Sequence, residues 1–152
     1  MKTSFAIEGL KDLDIALKEL PKATARNTLL RVLKKGGERI AEAEKTFAPR
    51  RSGKLAESPI VITSANKLTR RQKSKYKKES DVEVMVGPTP HPKSIQTEFG
   101  NSHQAAHPHL RPAWDGNVMG VLSDVKEDLE SEIEKSRARL ARKAAREIAK
   151  MK

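Results

Sequence analysis

The chain has 152 residues, no cysteine and a net charge of +11. Without Cys there is no disulfide or thiolate–metal framework, Met1-Lys2-Thr3-Ser4-Phe5 lacks the apolar core of a secretion signal, and no apolar run reaches bilayer-spanning length. The expectation is a soluble protein made in a cytoplasm, with a modest core (36% hydrophobic, 3% aromatic); its charge favours a polyanionic neighbour, whether nucleic acid, an acidic protein surface or a membrane face, of which no membrane partner is expected.

Phe5 and Ile7 alternate with polar residues and predict a short strand before Gly9. Leu10, Leu13, Leu17 and Leu20 then recur at helical spacing, and Pro21 ends that helix. A second helix is predicted over about 22–47. Ala25, Leu29, Val32, Leu33, Gly36, Ile40, Ala43 and Phe47 share one face of it. Gly36-Gly37 falls mid-helix, where each Gly costs about 1 kcal/mol relative to Ala. Gly36 lies on the apolar face, so close packing of another backbone is preferred over a bend. Ala48-Pro49 breaks the helix and Arg50 to Lys54 is a basic turn. Residues 59–63 predict one strand and 81–86 its partner, with Val82, Val84 and Val86 on one face. Phe5 and Ile7 would add a third strand.

Between those strands, Lys67, Arg70, Arg71, Lys73, Lys75, Lys77 and Lys78 occur with no acid among them. With only Leu68 and Tyr76 to bury, the stretch near 64–80 is expected to be a long mobile hairpin loop. It is either a solvated loop or an arm that contacts a polyanion through sequence-independent phosphate attraction. Ser94 to Phe99 predicts one short helix after the Pro-rich loop 88–92.

The most distinctive stretch is 98–114, EFGNSHQAAHPHLRPAW, which holds the only Trp and three of the four His. Gly100-Asn101 signals a turn. Pro108 and Pro112 push His107 and Arg111 toward extended geometry, so 107–111 reads as an extended strap. Pro112 suits the first turn of a following helix. Phe99, Leu110 and Trp114 are the candidate anchors of the strap on a core. Arg111 is either exposed or held by a carboxylate, and Glu98 is the plausible partner for such an architectural lock.

From about Ala113 one helix is predicted to reach Lys152, about 55 Å at 1.5 Å per residue. Val118, Leu129, Leu140 and Met151 repeat every eleven residues, as do Leu122, Ile133 and Ala144, which predicts a nearly straight apolar seam. Its first half is acidic and its second half basic, an order that suits the helix dipole and gives staggered neighbours complementary patches. The helix either folds back on its own body or partly protrudes onto neighbours; protrusion is favoured because the body looks too small to cover it.

Catalytic signals are weak. No Ser lies in a G-x-S-x-G elbow and no Gly-rich phosphate loop is present. His103, His107 and His109 with Glu98 do not match a metal-ligand spacing, so these His read as surface residues of a polar loop. The expectation is a non-enzymatic protein with no cofactor, catalytic or metal site.

The ordered motifs resemble the tail-component family of the head–tail neck region of long-tailed phages. They are Phe5 to Leu10, Ala48 to Leu55 (a P-x-x-[ST]-G-x-L turn), Val82 to Gly87 (V-x-V-G), Glu98-Phe99-Gly100, and Pro108-x-Leu110-Arg111-Pro112-Ala113. The resemblance spans roughly residues 4 to 114. Residues and resemblance together give an α+β fold: a small antiparallel sheet packed on two N-terminal helices, with a long C-terminal helix. The expected organisation is a body over 1–113 and a helix over 114–152. The resemblance implies a virion-assembly protein of the neck or of tail completion, located in the virion and working in a ring, hexamer favoured, against neighbouring neck, tail-terminator or tail-tube proteins. Glu98, Phe99, Gly100, Pro108, Leu110, Arg111, Pro112, Ala113 and Trp114 are the candidate interface residues. The alternative is a sequence-nonspecific nucleic-acid-binding protein, which explains the charge but not the strap.

Overall fold

The structure is a computed structural model. It describes residues 10–150 except 52, 65–67, 69, 78–79 and 89–92. Phe5 and Ile7 lie outside the described residues, as do Lys67, Lys78 and Met151.

Helix α1 spans Leu10–Lys18 and α2 spans Lys22–Phe47. Pro21 separates them. At the far end of α2, Ala48 takes an extended conformation before Pro49, and its N–H still donates to the Glu44 carbonyl at 2.9 Å. Strand β1 (Pro59–Ile62) pairs antiparallel with β2 (Met85–Pro88), matching Val61 with Val86 and Ile60 with Gly87. The partner strand therefore sits later than the expected 81–86. The Ser80 N–H donates to the Glu83 carboxylate at 2.7 Å, a local turn contact that competes with a ladder. Pro59 and Pro88 face each other at the end of the four-residue ladder, where the missing donor is tolerated.

The basic stretch expected as a hairpin loop contains a short helix, α3 (Arg70–Lys75). Arg, Gln and Lys are good helix formers, which a reading based only on burial overlooks. The Tyr76 hydroxyl donates to the Glu83 carboxylate and ties the end of this stretch to the segment before β2. Helix α4 spans Ser94–Phe99, as expected. Helix α5 spans Leu110–Lys150, 41 residues.

The body is organised around α2 lying antiparallel along α5, with α1 on one side and the sheet on the other. Leu13 and Leu20 meet Val32, Leu129 and Ile133 in the core, with Leu17, Ala25, Leu29 and Leu140 packed around them. Each such Leu or Ile contributes about 1.5–3 kcal/mol of burial. The α2 glycines permit this contact on two sides. A Cβ on Gly36 would lie 2.9 Å from Val121 Cγ1, and one on Gly37 would lie 3.0 Å from Val86 Cγ2 and 3.1 Å from Val61 Cγ1. One glycine admits α5 and the next admits the sheet.

A polar row runs beside the core. Arg31, Lys35 and Arg39 of α2 pair with Glu132, Asp128 and Asp124 of α5, with Lys35 Nζ 2.7 Å from Asp128. Thr28 and Ser136 extend the same register, their hydroxyls 3.4 Å apart. Steps of three or four on each helix run in opposite directions, as two antiparallel helices require. These three acids, read from the sequence as patches for neighbouring subunits, are thus used within the chain. So is the α5 seam, which folds back on α2 as far as Leu140; from 141 to 150 every residue is exposed. The α2 face also differs from expectation near its end. Glu44 is fully buried there while Phe47 is 51% exposed.

Candidate functional site

The stretch 98–114 folds as a joint between α4 and α5. Its organising group is the Glu98 carboxylate, only 8% exposed. One oxygen accepts the backbone N–H of His109 at 2.7 Å and of Leu110 at 3.0 Å. The other accepts the Arg111 N–H at 3.1 Å and its Nε–H at 2.9 Å. The first N–H groups of any helix have no partner inside it. Here Glu98 takes three of them, and Pro112, next in line, has none to offer. A carboxylate from another helix thus caps α5, and its charge also meets the positive end of the helix dipole. Burial alone would raise the Glu98 carboxyl, but these four donors outweigh it and hold the group at about 2.

The loop between the two helices closes on itself. The Asn101 N–H donates to the Gln104 carbonyl at 2.9 Å, and the His107 N–H reaches back to the Thr97 carbonyl at 2.7 Å. Gly100 starts the loop at φ 74°, and a Cβ there would meet the Ala106 nitrogen at 2.9 Å. Only glycine fits both the backbone angle and the space. Arg111 completes the lock expected from the sequence: its Nη2 also donates to the Glu98 carbonyl at 2.8 Å, and its guanidinium lies 4.9 Å from the centre of the Phe99 ring.

Three expectations for this segment are corrected. The extended strap ends earlier, because α5 begins at Leu110; Leu110 and Arg111 are helical once Glu98 satisfies their N–H groups, and Pro112 is still within the first turn. Phe99 and Trp114 are not anchors to a core, being 66% and 46% exposed; Ala113, fully buried, takes that place, with Leu110 half-buried. His109 is not a surface residue. It is 1% exposed, and its Nδ1 lies 2.9 Å from the carboxylate of Glu44. Burial pushes the Glu44 carboxyl up, His109 opposing. His109 Nε2 lies 3.8 Å from Glu98. Sequence reasoning missed Glu44 altogether. The only signal available was a Glu on the same helical side as Ile40 and Gly37, which looks like an ordinary lapse in an amphipathic pattern.

The joint therefore couples three helices: Glu44 from α2, Glu98 from α4, and His109 with Arg111 at the start of α5. His103 and His107 stay exposed and are not brought to His109. Among the described residues, no group of three or more His, Asp or Glu is arranged to hold a metal ion. Arg70, Lys73 and Lys77 are exposed, and Arg71 and Lys75 belong to α3 with Arg70 and Lys73. A groove of about 670 Å³ lies between α1, the start of α2 and Val82, lined by Leu17, Leu20, Ala25 and Leu29. No helix among the described residues is long and apolar enough to cross a membrane.

Outside the lock, the joint presents apolar side chains. Ile95 and Phe99 stand one turn apart on α4, 64% and 66% exposed, and Trp114 stands one turn beyond Arg111. Ile95, Phe99 and Trp114 are thus the large apolar side chains that this segment leaves exposed. This architecture is a small α+β body with a long helix whose last ten described residues are exposed. The family described as "Bacteriophage HK97-gp10, putative tail-component" matches residues 11–100, and the chain belongs to that HK97-gp10-like family of phage tail components. The match includes Glu98 and Gly100, while the opening residues 5–10 and the segment 101–114 lie beyond it. No curated protein and no solved structure matches the chain.

Proposed function

We propose that this tail component is a non-enzymatic virion-assembly protein of the phage neck or of tail completion. It works in a ring, hexamer favoured, where the finished tail meets the DNA-filled head, and it resides in the virion. Its neighbours in this reading are copies of itself and neck, tail-terminator or tail-tube proteins. The observation that carries the reading is the locked joint, which leaves Phe99, beside the Arg111 guanidinium, and Trp114 exposed in a chain of the tail-component family. Heterologous contacts of the kind that close a ring need such a patch meeting a different surface of the next copy. The basic stretch around α3 faces DNA or an acidic neighbouring ring.

The test is a joining assay. Tails made without this protein are mixed with DNA-filled heads, with and without the purified chain, and infectious particles are counted. Particles that form only on addition support the proposal, and Trp114→Ala should then reduce them while leaving the fold intact. Equal particle numbers with and without the chain would refute it.

A second reading, sequence-nonspecific nucleic-acid binding, is favoured by one observation: residues 141–150 are all exposed and include Arg142, Lys143, Arg146 and Lys150. It requires affinity for bare duplex DNA that falls steeply with salt. Flat, weak binding across salt concentrations removes it.

A further inference from the structure

Among the charges of α5 that the body does not use, six form two matching rows. Glu127, Glu130 and Glu134 are exposed on the middle of the helix, and Arg139, Arg142 and Arg146 are exposed toward its end. Both sets have the spacing i, i+3, i+7, so each occupies an arc of roughly 60° at about 100° per residue. The second set is the first displaced by twelve residues, about 18 Å along the axis. The two arcs lie about 120° apart and flank a common strip that carries Ser131, Ala138, Ala145 and Ala149. That strip faces away from Leu129 and Ile133, the residues buried on the body.

Little within the chain occupies these charges. Glu134 accepts from Arg137 at 2.9 Å, an exposed pair one turn apart. Arg139 makes no ion pair among the described residues; Glu132, whose carboxyl its charge helps to hold down, is paired with Arg31 and Lys135. The remaining members of both rows have no ion-pair partner among the described residues. A ten-residue helical extension with no packed face is marginal in water by itself.

We infer that α5 is a self-association surface: a second copy of this chain lays its α5 parallel to the first, offset by about twelve residues. Arg139, Arg142 and Arg146 of one copy then oppose Glu127, Glu130 and Glu134 of the other. The small residues of the shared strip let the two axes approach closely. Parallel alignment is required, because an antiparallel pair would set the acidic flank against Ala138, Ala141 and Ala145 instead of against the arginines. The contact is head-to-tail: a pair that shares one strip sets the acidic half of one copy against the basic half of the other. Duplex DNA fits the surface less well, because the acidic row beside the arginines would repel phosphate. The inference rests on the proposed reading in which copies of this chain are neighbours, and names the surface they share; its test reads self-association alone and so fails separately from the joining assay.

The experiment is a charge swap on the full chain, read by sedimentation at low and high salt. The wild type should associate at low salt and dissociate as salt rises. Variant one carries Arg139→Glu, Arg142→Glu and Arg146→Glu; variant two carries Glu127→Arg, Glu130→Arg and Glu134→Arg. Each alone should associate at least about tenfold more weakly. Mixed in equal amounts they should associate again, because every acidic half then meets a basic one. Restoration needs both variants folded, so it separates a lost contact from a lost fold. A mixture that stays monomeric, or a wild type that is monomeric at low salt, overturns the inference. Loss of duplex DNA binding in variant one, with self-association unchanged, overturns it in favour of a nucleic-acid surface.

Discussion

Replacing Glu98 by Gln tests the logic of the joint most directly. The substitution keeps the size and shape of the side chain and removes its charge. Four donors converge on the carboxylate, two at each oxygen. Whichever way the Gln amide turns, its NH2 must face one of those donor pairs, and two N–H groups at the start of α5 lose their acceptor. The magnitude follows from the ionisation. The folded carboxyl sits at about 2 against an ordinary 4.5. At about 1.4 kcal/mol per factor of ten, the charged form contributes roughly 3 kcal/mol at neutral pH. Because the folded value is the lower one, this stability is fully present above the unfolded value near 4.5 and is lost as the pH falls toward 2. Urea unfolding followed by circular dichroism should therefore show Glu98→Gln less stable by about 2–3 kcal/mol at pH 7. The gap between wild type and variant should shrink as the pH is lowered through that window. A variant within about 0.5 kcal/mol of wild type at pH 7 would refute the cap, as would a gap that does not change with pH.

Glu44 should behave differently, because burial raises its carboxyl. Its charged form opposes folding as the pH rises above the ordinary carboxylate value, so Glu44→Gln, whose amide oxygen can still accept from His109, should lie within about 1 kcal/mol of wild type at pH 7. Glu44→Ala leaves His109 unpartnered beside a cavity and should cost about 3 kcal/mol; equal effects of the two variants in denaturant titrations would contradict this account. Gly36→Ala gains about 1 kcal/mol of helix propensity but drives a methyl against Val121, an overpacking cost of about 1–3 kcal/mol. Thermal unfolding should show no gain in stability, and a rise in Tm would show that α5 does not pack where described. Neutralising Arg31, Lys35 and Arg39 together should lower stability by no more than about 2 kcal/mol, less in high salt, since these pairs are largely exposed. A larger or salt-independent loss would mean the row does more than steer register.

The secondary structure was legible where local rules act alone. Pro21 and Ala48-Pro49 bound α2, the β-branched run gave β1, and the eleven-residue spacing marked Val118, Leu129, Ile133 and Leu140 of the α5 seam, though Ala144 is exposed, because each depends only on neighbouring residues or on helical period. Gly36 was legible as a site of close packing, since a glycine on an apolar stripe has few other reasons to be there. The link between Glu98 and Arg111 was also anticipated, from an Arg set between an apolar residue and a proline. The strand register moved because Glu83 satisfies the N–H of Ser80, and no periodicity reports such a contact. The helix within the basic stretch, Arg70–Lys75, rests on the helix propensity of Arg, Gln and Lys, which a burial pattern does not report.

Charge, period and turn chemistry were determined by the sequence itself: a basic α+β chain with a long helix and a stiff segment leading into it. The tertiary structure decided which charges remain available. Arg31, Lys35 and Arg39 lie more than 80 residues from Asp124, Asp128 and Glu132, and only the antiparallel packing of α2 on α5 brings them together. The same folding buries Glu44 with His109 and turns Phe99 and Trp114 outward. Whether a charged or aromatic side chain is spent inside the fold or left for a partner depends on what lies across from it. That is a property of three-dimensional proximity, and residue type and spacing along the chain do not encode it.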